Sequence, residues 1–146
     1  MTDLLRINRK VYDFEGDWKE AFGQPERGGV WFVWGKSGNG KTFFVLQLCK
    51  ELTRYGKVAY DSLEEGSSLT MQNALVRVGM ADVGRRFVLL NENFAELDDR
   101  LNRRRSPDIV VVDSFQYAHI SLGQYEDFCK RHHNKLIIFI SQAEGL

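Results

Sequence analysis

This sequence has little proline, little cysteine, no long apolar run and no excess of either charge. Two prolines in 146 residues leave no linker rich in Pro and Gly. With no internal repeat or low-complexity tract either, the chain reads as one globular unit. The two cysteines, Cys49 and Cys129, lie inside apolar-periodic stretches without metal-ligand spacing around them. That pattern favours reduced core thiols over a disulfide or a zinc site, and suits a cytoplasmic protein. The N-terminal Met1-Thr2-Asp3-Leu4-Leu5-Arg6 is interrupted by polar and charged residues, and the longest apolar run, Leu136 to Ile140, is far shorter than a bilayer. Neither export nor membrane insertion is expected. Twenty Lys and Arg balance twenty Asp and Glu, so any polyanion binding must be local.

What is present is a rhythm. With 43% hydrophobic and 27% charged residues, the chain alternates short apolar runs with longer amphipathic stretches, as a parallel sheet of βαβ units requires. Five runs read as strands: Val30 to Trp34, Lys57 to Tyr60, Phe87 to Leu90, Ile109 to Val112 and Leu136 to Ile140. The fourth, unbroken in apolar character, is expected to be central and buried on both faces. Between them, periodicity predicts a helix burying Phe44, Val45, Leu48, Cys49 and Leu52, with Gly56 capping its end. A second helix, capped by Ser67 or Ser68, is expected to bury Leu69, Ala74, Leu75 and Val78. A third buries Phe94, Leu97 and Leu101, and a fourth runs through Tyr125 and Phe128. Residues 1–27 form a lead-in that packs on a core of residues 28–146.

The run Gly35-Lys36-Ser37-Gly38-Asn39-Gly40-Lys41-Thr42 fits G-x-x-x-x-G-K-[ST] and sits between a strand and a helix. Its glycines let successive N–H groups turn inward on phosphate oxygens, and the helix start adds its positive dipole end. Lys41 is then expected on the β- and γ-phosphates of ATP, and the Thr42 hydroxyl on Mg2+. Such a site needs a carboxylate at the tip of a neighbouring strand. Asp113 ends the Ile109 run there. Ser114 follows it, so an adjacent glutamate is missing and the base must come from elsewhere. Glu64, with Glu65 as competitor, follows the second strand and would face the same crevice. Ser141 and Gln142 leave the fifth strand with a hydroxyl and an amide, which read equally as a γ-phosphate sensor or a polar strand exit.

Four segments together resemble the RecA-like ATPases, particularly their DnaB-helicase and RadA-like branch and the small ATPases of bacterial mobile elements and phages. They are the phosphate loop, Tyr60-Asp61-Ser62-Leu63-Glu64-Glu65, Ile109 through Gln116, and Ile140-Ser141-Gln142. The resemblance implies a three-layer α/β P-loop fold around a mainly parallel five-stranded sheet. It assigns the catalytic carboxylate to Glu64, the magnesium aspartate to Asp113 and the strand-end sensor to Gln142. It also implies that the Leu136 strand lies between the Val30 and Ile109 strands, with the Lys57 and Phe87 strands beyond. RecA-like cores continue past the sensor strand, so the Val30 strand is expected to be an apolar edge, which either the lead-in covers or further strands of a longer chain would cover.

Three functions fit these residues. One is an ATPase whose hydrolysis drives work on DNA, assembling with copies of itself, its DNA role resting on the family analogy. The run Arg100, Arg103, Arg104, Arg105, with Arg85 and Arg86, could meet phosphates, although interspersed Asp98 and Asp99 favour a solvated face. A small-molecule kinase would share the loop but need an arginine-bearing lid. A nucleotide-dependent binding module would bind ATP and turn over little.

Overall fold

The computed structural model describes residues 28–35, 39–63, 69–113 and 120–142; the lead-in of residues 1–27, and with it the expected packing on the core, lies outside them. Among the described residues five strands form one sheet: β1 (Gly29–Gly35), β2 (Val58–Ser62), β3 (Phe87–Leu90), β4 (Ile109–Asp113) and β5 (Leu136–Gln142). Their order is β1-β5-β4-β2-β3, the order the RecA-like resemblance implies, and every neighbouring pair is parallel. Among the same residues four helices alternate with them: α1 (Asn39–Leu52), α2 (Leu69–Val78), α3 (Phe94–Leu101) and α4 (Leu122–Arg131). A 3-10 segment, Met80–Arg86, leads into β3.

The period-two pleat sorts the core into two layers. Val58, Tyr60, Ile109, Val111, Leu136, Ile138 and Ile140 face α1, α2 and the 3-10 segment. Ala59, Val110, Val112, Ile137 and Phe139 face α3 and α4, through Leu97, Leu101 and Phe128. Covered on both faces, β4 is the central strand that its Ile-Val-Val-Val run predicts. Helices α3 and α4 each start with a reciprocal capping box, Asn93 with Glu96 and Ser121 with Gln124, which satisfies N–H groups that helix starts leave open. Both cysteines are free thiols, Cys49 buried and Cys129 half-buried, and burial pushes both up in pKa.

Three packing expectations change. Phe44 is 41% exposed, while Leu46 is buried beside Val45, Leu48, Cys49 and Leu52. The cause is α2, whose Arg77 guanidinium stacks 4.3 Å from the Phe43 ring centroid and covers that flank of α1 rather than the Phe44 flank. Leu69 is 70% exposed and Met71 takes its place in the core. Met71, Ala74, Leu75 and Val78 share one helical stripe, and Leu69 falls off it. Gly56 lacks the positive φ of a left-handed cap. It is needed for closeness instead, because a Cβ there would lie 2.5 Å from Asp108 Oδ2. The Ser67 or Ser68 cap lies outside the described residues.

Candidate nucleotide site

Because all five strands are parallel, their C-terminal ends open on one edge. Gly35 lies opposite Gln142, Asp113 opposite Ser62, and Leu90 opposite Asp61. With β5 between them, β1 and β4 are about 10 Å apart, the span of two strand spacings. Gly35 ends β1 on this edge, and Asn39, Gly40 and Lys41 open α1 directly after it. Lys36, Ser37 and Gly38 lie outside the described residues. The first N–H groups of α1 have no partner within the helix and carry its positive dipole end, a setting that favours anions. Thr42, half-buried, borders a cavity of about 220 Å³ with Phe43, Thr70, Asn73 and Arg77.

Asp113 is the last residue of β4 and is partly exposed. The fully buried Tyr60 donates its hydroxyl to Asp113 Oδ2 at 2.5 Å. The backbone is tied too, Leu63 N donating to Asp113 O at 2.6 Å. Beside them the Ser62 hydroxyl is buried without a hydrogen-bond partner. On the opposite face Asp61 accepts the Glu92 N–H at 2.8 Å, and Asn91 Nδ2 donates to Ser62 O at 2.7 Å. Glu92 pairs with Arg100. Burial pushes Asp61 from 3.8 to about 7, with Glu92 and Glu96 adding repulsion and the Glu92 N–H and Arg100 opposing them.

Glu64 and Glu65 lie outside the described residues. Gln142 closes β5 at the register position facing Gly35. The basic run is interleaved with acid: Arg100 pairs with Glu92, Arg103 lies 3.6 Å from Asp99, and Arg86 Nε donates to Val83 O. Tyr60 and Asn91 are contributors that sequence reasoning missed. Their signal was a Tyr-Asp-Ser end to an otherwise apolar strand and an Asn directly after Leu90.

The donors suit magnesium. Among the described residues no group of three or more His, Cys, Asp or Glu gathers as a metal cage. Asp113 and Thr42 offer a carboxylate and a hydroxyl, and magnesium usually takes one or two protein oxygens beside phosphates and water.

This sheet order, with a helix following the edge strand and an acidic end to the central strand, defines a RecA-like P-loop ATPase fold. The chain belongs to the AAA domain family, whose sequence profile matches residues 23–127. Among solved structures it is similar to the ATPase domain of G40P, with 17% identity and a TM-score of 0.53 over 80% of this chain and 57% of that one. It is also similar to the ATP synthase subunit NeqB from Nanoarcheaum equitans, with 8% identity and a TM-score of 0.62 over 96% of this chain and 45% of that one. The chain thus spans about half the length of these structures. At such identities they speak for the fold alone. A comparison with curated proteins finds no match.

Proposed function

We propose that this ATPase-family domain binds Mg-ATP along the turn from Gly35 to Thr42 and hydrolyses it. The observation that carries the reading is the shared edge, where Gly35 and Asp113 end strands separated only by β5. In this reading the turn's N–H groups and Lys41 hold the phosphates, and Thr42 and Asp113 hold magnesium. Bound there, magnesium supplies charge neutralisation on the phosphate oxygens. Glu64 orients the attacking water and takes its proton, and Gln142 senses the γ-phosphate. We further assign the domain to the cytoplasm, to assemblies of several copies, and to recombination, repair or replication of DNA. Among the described residues no helix is long and apolar enough to cross a membrane.

Fluorescent ATP-analogue binding and phosphate release, with and without magnesium and single-stranded DNA, test this. Lys41→Ala should lose binding. Glu64→Gln should keep binding and lose at least a hundredfold in turnover, about what positioned acid–base groups contribute. Retained binding in the first variant removes the phosphate site, and unchanged turnover in the second removes the base.

A second reading, a nucleotide-dependent binding or assembly module, draws on one observation. Among the described strands β1 pairs on one side only, and its Phe32 is 41% exposed. An edge of that kind recruits a partner. A missing arginine finger costs about 10³ to 10⁵ in rate, so magnesium-dependent binding without phosphate release favours this module. Transfer to a nucleoside monophosphate panel would mark a kinase instead.

A further inference from the structure

The geometry points to Tyr60 as a positioning residue for Asp113, its phenol hydroxyl setting the direction in which the carboxylate presents oxygen to magnesium. The inference rests on the proposed role of Asp113 as a magnesium holder. Tyr60 is among the largest fully buried side chains, packed in the cluster that contains Val45, Leu48, Val58 and Val111. A ring so enclosed keeps one rotamer, so its hydroxyl stands at a fixed point. From there it donates to Asp113 Oδ2. A carboxylate bonded through one oxygen loses its freedom to rotate about the Cβ–Cγ bond, so both oxygens gain fixed directions. The main chain is held in the same way, by Leu63 N to Asp113 O and by the register of Ser62 opposite Asp113. Strand β2 and the residue after it thus grip the end of β4 twice.

Packing alone does not explain the hydroxyl, since phenylalanine would fill the same space with no polar atom to satisfy. The donor's neutrality matters as well. An ammonium or guanidinium in this place would orient the carboxylate but cancel the charge that attracts the metal. A phenol orients it and leaves the charge.

Magnesium is titrated against a fluorescent ATP analogue bound to the full chain, for wild type, Tyr60→Phe, Asp113→Asn and the double variant, with affinity also measured in EDTA. Tyr60→Phe should raise the magnesium needed for half-saturation about ten- to a hundredfold, the usual effect of losing a partner behind a metal ligand. Its affinity in EDTA should match wild type, and the double variant should match Asp113→Asn. An unmoved curve for Tyr60→Phe beside a shifted one for Asp113→Asn overturns the inference and leaves the magnesium site standing. Equal weakening with and without magnesium overturns it too, by assigning Tyr60 to packing. An unmoved curve for Asp113→Asn removes both.

Discussion

Asp61 accepts the Glu92 N–H through Oδ1 at 2.8 Å, while its Oδ2 is buried without a hydrogen-bond partner. A carboxyl raised from 3.8 to about 7 keeps, in the folded chain, a proton that the unfolded chain has already released. Between those values the native state binds more protons, so stability falls as pH rises through them. Denaturant unfolding should therefore show less stability at pH 8 than at pH 5.5, by at most a few kcal/mol, since one pKa unit is worth about 1.4 kcal/mol. Asp61→Asn should flatten that slope. An equal slope in the variant would assign it to another group.

Asp98 behaves in the opposite sense. Burial alone would raise its pKa, but hydrogen bonds from His132 and Arg131 outweigh burial and hold the carboxyl below its usual range. His132 Nε2 lies 2.6 Å away and Arg131 Nη2 2.8 Å away. The stabilisation is present above the ordinary carboxylate range and is lost as pH falls through the lowered value. Asp98→Ala leaves the buried His132 ring nitrogen without this partner and should cost about 1–3 kcal/mol in chemical denaturation at pH 7.

Met71 on the α2 apolar stripe and Leu69 off it give a paired test. Met71→Ala removes a fully buried side chain and should cost about 2–5 kcal/mol. Leu69→Ala acts at a site 70% exposed and should stay within about 0.5 kcal/mol of wild type. Thermal melts of both variants check the contrast, and a larger loss at Leu69 would contradict the packing described.

Gly56→Ala should destabilise by about 1–3 kcal/mol, the cost of overpacking. Its new Cβ would come within 2.9 Å of Asp108 Cβ, and the Asp108 carboxylate there accepts the Lys57 N–H at 3.2 Å. In a melting comparison Asp108→Ala should lessen the penalty of Gly56→Ala, because it removes the carboxylate that crowds the site.

Much of the architecture was legible because strand and helix periods are local. The β-branched Ile109-Val110-Val111-Val112 run fixed a buried strand, and Asp113 directly after it fixed an acid at the strand's tip. The strand and helix flanking the phosphate-loop pattern were legible because the apolar periods on either side of it are local. Less legible was which flank of each helix faced the sheet. Phe44 and Leu46 differ by only two positions on α1, and the arrival of α2, distant in sequence, chose between them. The Tyr60 to Asp113 bond was illegible for the same reason, joining residues 53 apart.

By itself the sequence determined the α/β rhythm, the glycine-rich run between a strand and a helix, and the acid at the end of the fourth strand. Each follows from backbone preference and side-chain period over a few residues. Only the tertiary structure decided that Tyr60 grips Asp113, that Asp61 lies buried with one oxygen unpaired, and that Gly56 serves closeness rather than capping. Parallel pairing decides such matters, because it brings strand ends together across long crossovers that no local pattern encodes.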